Sequence, residues 1–115
     1  MSSVEGALRT WRSKITPTAR GAIFRAKRWF YATFYSKSSS ENKEKSRENW
    51  ARLARLLVEK SNKEGVSEKA ARVIIHYYDK NGLFEPVRAE LEIYELRPIK
   101  TLEITEDELK ESSSV

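Results

Sequence analysis

The run KAARVIIHYYDKNGLFEPVRAELEIYEL, residues 69–96, decides the fold of this chain, because its first half can be read with either of two periodicities. With a period of two, Val73, Ile75 and Tyr77 share one face of a strand over residues 72–79, whose β-branched and aromatic content suits a pleated sheet. Asn81 and Gly82 both tolerate positive φ and so mark a two-residue hairpin turn. Beyond them Val87, Ala89, Leu91 and Ile93 alternate with Arg88, Glu90, Glu92 and Tyr94 as a second strand. Pro86 belongs at its start or on a sheet edge, where no ladder N–H is lost. After Pro98, Leu102 and Ile104 point to a third strand. With the helical period, Ser67 instead caps a helix reaching Lys80. The strand reading is preferred, because a helix would carry Val73, Ile74, Ile75, Tyr77 and Tyr78 around most of its circumference; the helix stays open as the alternative.

Upstream, Thr16 followed by Pro17 reads as an N-cap and first helical residue. A helix over residues 17–35 then buries Ile23, Ala26, Phe30 and Phe34 at helical spacing. A second line on it, Arg20, Phe24, Arg28, Tyr31 and Tyr35, interleaves basic and aromatic side chains. Gly21 weakens this helix or marks close packing. Residues 36–46, SKSSSENKEKS, have no apolar anchor and read as a flexible connector. Ser46 caps a second helix over residues 47–61, with Trp50, Leu53, Ala54, Leu57 and Val58 as its apolar face. Residues 1–15 show no sustained periodicity and read as a flexible basic arm. The expected organisation is that arm, a single α+β domain over residues 16–104, and an acidic tail over residues 105–115. Its fold class is α+β: two N-terminal helices packed on a small antiparallel sheet of two to three strands, with a winged helix-turn-helix as the alternative.

Two resemblances bear on the choice. The run SEKAARVIIHYYDKNGLF, residues 67–84, is similar to the recognition segment of winged-helix proteins, with Ala71, Ile75, Tyr78, Gly82 and Leu83 at the matching spacing. That likeness implies Lys69, Arg72 and His76 projecting toward a major groove. The stretch from Trp50 through Tyr94 resembles a group of small uncharacterised archaeal basic proteins built as two helices followed by a β-hairpin. This second resemblance covers about half the chain. It implies an architecture and an association with information-processing machinery, and no residue role.

The inventory argues against catalysis. The 115-residue chain has no cysteine and a single histidine, His76, which excludes disulfides, thiolate metal sites and Cys/His catalysis. Its four glycines, at 6, 21, 65 and 82, lie too far apart for a phosphate-cradling loop. Glu106, Asp107 and Glu108 lack the turn spacing of a calcium loop and read as solvated tail charge. A non-enzymatic protein without metal or cofactor is expected. No apolar run approaches bilayer length, and a cytoplasmic location in a reducing compartment is the expectation.

Charge supplies the positive signal. The formal net charge is +5, yet residues 1–40 hold eight Lys or Arg against Glu5 alone, so that segment carries +7 and the remainder −2. The segment RTWRSKITPTARGAIFRAKRWFY, residues 9–31, places Arg9, Arg12, Lys14, Arg20, Arg25, Lys27 and Arg28 around Trp11, Phe24 and Tyr31, with Trp29 in the same run. Cations displace counterions from phosphates, and flat rings stack on unpaired bases. Arginine outnumbers lysine, favouring bidentate phosphate contact. The expected function is nucleic-acid binding, to DNA or RNA, led by backbone contacts with low sequence specificity. The alternative is an accessory subunit of a replication, transcription or translation assembly, held by protein contacts with the same rings buried. Arginines around the whole first helix argue against a membrane-surface anchor.

Overall fold

A computed structural model describes residues 7–35 and 40–112. The hairpin reading holds. Strands Ala70–Lys80 and Leu83–Tyr94, here β2 and β3, pair antiparallel with Val73 opposite Leu91 and Ile75 opposite Ala89. Asn81 (φ 57°) and Gly82 (φ 88°) occupy the left-handed region at the turn, as a two-residue hairpin of this hand requires. The helix alternative over residues 67–80, and with it the winged helix-turn-helix, is therefore overturned. Ladder bonding to β3 outweighs the local helical pattern. The register slips between His76 and Tyr77, so Tyr77 faces Pro86 on the edge strand, where a missing N–H is harmless.

The third strand comes from the other end of the chain. Leu8–Arg12, β1, pairs antiparallel with β2, giving the order β1-β2-β3, while residues 102–104 form no strand. The expectation of a flexible arm over residues 1–15 fails from residue 8 onward; residues 1–6 lie outside the described residues. The physical reason is that an edge strand needs only backbone pairing and one covered side chain, and Trp11, opposite Ile75, provides that side chain. Pairing continues past β1. The Ser13 N–H donates to the Val73 carbonyl (2.9 Å), and Thr16 exchanges both backbone hydrogen bonds with Ala71. With its backbone committed to the sheet, Thr16 cannot cap the following helix.

Thr18 takes that place. Its extended backbone (φ −134°, ψ 154°) and Oγ1, which accepts from the Gly21 N–H at 3.0 Å, start α1, Ala19–Phe30. Gly21 marks close packing, since a Cβ there would lie 3.2 Å from the capping hydroxyl. The helix runs on through a π-helical turn, Tyr31–Tyr35, and buries Ala19, Ala22, Ile23, Ala26, Phe30 and Phe34, the expected stripe and two further alanines. Helix α2 spans Ser40–Lys63, far longer than residues 47–61. The expected connector thus folds from residue 40; residues 36–39 lie outside the described residues. On α2, Trp50 and Leu57 are buried, Leu53 and Ala54 half-buried, and Val58 faces solvent.

Both helices lie on one face of the sheet, α1 over β2 and α2 over β3. Between the layers Phe30, Phe34 and Phe84 pack ring to ring with Trp50, Tyr77 and Trp29. Ser46 and Asn49 of α2 satisfy the start of β3. The buried Ser46 Oγ accepts from the Phe84 N–H (3.0 Å), and Asn49 donates to the Phe84 carbonyl (2.7 Å). The acidic end contains a further helix, α3, Glu106–Ser112. Thr105 and Glu108 form a reciprocal capping box there, the Thr105 N–H reaching Glu108 at 2.9 Å. Residues 113–115 lie outside the described residues.

Candidate nucleic-acid interface

The residues expected to bind nucleic acid divide into two surfaces and one ion pair. Arg12, Lys14, Arg25 and Arg28 come together with Trp11 and Trp29 along a groove of about 500 Å³ between β1 and α1, with no carboxylate in its lining. Arg20, Phe24, Lys27 and Tyr31 line a second, smaller groove of about 390 Å³ between α1 and α2, beside Arg47 and Trp50. Arg9 stands apart, paired with Asp79 at 3.5 Å near the hairpin turn.

Topology builds the first groove. Strand β1 leads through residues 13–18 directly into α1, so strand and helix lie side by side, and residues three apart on the helix, Arg25 and Arg28, face the strand. At the floor the Trp11 and Trp29 rings stack at 4.7 Å with planes 13° apart. Trp29 in turn packs edge-on to Phe34, Tyr77 and Phe84. Trp11, which the sequence gives no core position, is thus half-buried as a plate closing the core. Trp29, which lies in the same basic run, is the groove-lining aromatic outside the expected binding set. Its signal was there: it immediately precedes Phe30 and flanks the buried stripe three residues after Ala26.

Among the described residues, Arg12, Lys14, Arg25, Lys27 and Arg28 make no ion pair, and all five are exposed. Arg20 and Arg47 differ, being held by Glu68 and Glu44. Phe24 is 56% exposed, and Tyr31 is half-buried against Phe30 and Tyr35. A cation already matched to a carboxylate must give up that partner to meet a phosphate, whereas an unmatched one does not. The β1/α1 groove is therefore the stronger complement to an anion.

The sheet face turned away from the helices has the opposite character. Arg72 meets Glu92 at 2.8 Å, and Arg88 and His76 meet Glu90 at 3.0 and 3.2 Å. Hydrogen bonds from Arg88 and then His76 hold the Glu90 carboxyl below its ordinary pKa; those from Tyr94 and then Arg72 do the same for Glu92. The His76 ring is occupied at both nitrogens, Nδ1 lying 3.0 Å from the Thr10 hydroxyl. These groups satisfy one another. Arg12 alone borders both surfaces, lining the basic groove and sitting near enough to lower the Glu92 pKa slightly. Glu106, Asp107 and Glu108 occupy the first turn of α3, and no His, Cys, Asp or Glu group among the described residues converges as metal ligands would. No described helix is long and apolar enough to cross a membrane.

No protein-family model, curated protein or solved structure matches this chain, so the reading of its surface rests on its own residues and their geometry.

Proposed function

We propose that the protein binds nucleic acid through the groove between β1 and α1, by contacts to the phosphate backbone with little sequence specificity. One observation carries this reading: Arg12, Lys14, Arg25 and Arg28 stand together, exposed and with no carboxylate at ion-pairing distance among the described residues, around a stacked indole pair. Three of the four are guanidinium groups, which contact phosphate oxygens in bidentate fashion. Among the described residues no element presents a row of side chains suited to base edges, so affinity comes from charge and from ring contacts at the groove floor. The protein acts by binding and needs no cofactor, and DNA and RNA share the chemistry the groove recognises.

Titrating labelled single-stranded and duplex oligonucleotides into the protein at several salt concentrations tests the proposal. The expected result is binding whose log affinity falls linearly with log salt, accompanied by a change in tryptophan emission. Absence of binding to either form at low salt would refute it. The accessory-subunit alternative, in which the basic surface meets protein, predicts that negative outcome.

A further inference from the structure

The chain beyond β3 presents large aliphatic side chains to water. Leu96, Ile99, Leu102, Ile104 and Leu109 are all more than half exposed, Ile99 at 96% and Leu102 at 81%, and none belongs to the core. Scattered surface aliphatics are ordinary, but five within fourteen residues of one acidic segment form a contact sequence. Residues 95–105 form neither helix nor strand, and Leu102 and Ile104 are both exposed within them. The carboxylates of Glu103, Glu106, Asp107 and Glu108 lie among and just after them.

The same chain carries a surface of matching chemistry. β3 is an edge strand, and among the described residues its backbone over residues 85–94 bonds only to β2. The start of that edge is closed by Ser46 and Asn49 of α2, leaving the rest open. Two successive hollows, of about 230 and 420 Å³, run between α2 and this edge. Leu53, Leu56, Leu91 and Ile93 supply apolar lining, and Lys60 and Lys63 stand on the rim beside one carboxylate, Glu64. Neither lysine has an ion-pair partner among the described residues.

We infer that this groove receives the C-terminal segment of a second copy of the same chain. In the resulting dimer Leu102 and Ile104 of each copy enter the partner groove beside β3, and the carboxylates around them face Lys60 and Lys63. Aliphatic side chains meet an apolar floor and acidic groups a basic rim, and the exchange is reciprocal, so two-fold symmetry closes it without leaving an open end. The segment leaves its own β3 at Tyr94, none of its residues belongs to the core cluster, and neither hollow is lined by a residue beyond Ile93.

Sedimentation velocity of the full chain over a range of concentrations is the direct test, with hydrogen exchange of residues 99–109 read on the same samples. The expected result is a reversible dimer with exchange slowed in that segment as the dimer forms. Leu102→Asp with Ile104→Asp in the full chain abolishes the dimer, as does Lys60→Glu with Lys63→Glu, whose sites are exposed positions on α2. A synthetic peptide of residues 95–112 binds the Leu102→Asp, Ile104→Asp protein and not the Lys60→Glu, Lys63→Glu protein. A monomer at every concentration with fast exchange overturns the inference, and so does a monomer with a protected tail, which means folding back onto its own groove. A dimer indifferent to all four substitutions overturns it equally.

Discussion

Replacing Arg25 and Arg28 together by alanine isolates the groove's electrostatic contribution. Both side chains are exposed, unpaired among the described residues, and on the side of α1 that faces β1. Alanine is the better helix former, so the fold is preserved; such surface changes move stability by less than about 0.5 kcal/mol. Each phosphate contact adds about −0.9 to the slope of log affinity against log salt on duplex and about −0.7 on single strands. With four groove cations engaged, raising salt from about 50 to about 200 mM costs about 150-fold on duplex and about 50-fold on single strands. With two removed, the same step costs about 12-fold or about 7-fold. Fluorescence anisotropy of a labelled oligonucleotide reads both slopes, and circular dichroism checks the fold. Lys27→Ala, on the α2 side of the same helix, is the control and changes the slope by less than either groove arginine. An unchanged slope in the folded double variant, or a Lys27→Ala effect of equal size, refutes the assignment of binding to this groove.

Three further outcomes test the fold that holds the groove. Ser46→Ala leaves the buried Phe84 N–H without its acceptor, and should cost about 1 to 3 kcal/mol in urea unfolding. Gly82→Val forces a β-branched residue to φ 88° at the hairpin, and should lower the unfolding midpoint by an amount corresponding to about 1 to 3 kcal/mol. Glu90→Gln probes the open sheet face. Because the Glu90 carboxyl is held below its ordinary value by Arg88 and His76, its contribution is present above the unfolded-state pKa and is lost as pH falls through the folded-state value. Wild type should therefore unfold at higher urea than Glu90→Gln at neutral pH, and the two curves should converge in acid below the carboxylate range.

The hairpin is legible in the sequence because two independent signals coincide, the alternation through Val73, Ile75 and Tyr77 and the Asn81-Gly82 turn. The core stripe of α1 is legible for the same reason, since one spacing accounts for Ile23, Ala26, Phe30 and Phe34. Strand β1 is hidden because an edge strand of five residues offers one apolar residue, Trp11, to the helix side and depends on backbone pairing that composition does not encode. The early turns of α2 are hidden for a different reason. Ser-Glu-Asn-Lys-Glu-Lys contains no hydrophobic residue, yet Glu and Lys are good helix formers, and Asn42 ties that end to the Asn81 carbonyl at 2.9 Å. In the candidate site the cations were legible and their grouping was not. Which of them share a groove follows from placing β1 against α1, and that placement rests on the pairing of β1 with β2.

That placement also explains why a modest net charge yields an unneutralised groove. Residues 8–35 supply both walls of the groove and contain no acidic residue, so no carboxylate arrives with the cations. The nearest acids along the sheet, Asp79, Glu90 and Glu92, belong to β2 and β3 and are engaged by Arg9, Arg88, His76 and Arg72. Those pairs form at the hairpin end and on the sheet face away from the helices, whereas Lys14, Arg25 and Arg28 stand on the helix side. The sheet separates these three cations from the acids, whereas Arg12, at the end of β1, borders both surfaces. Neutralising the groove would require an acidic residue within β1 or on the strand-facing side of α1, and the sequence places none there.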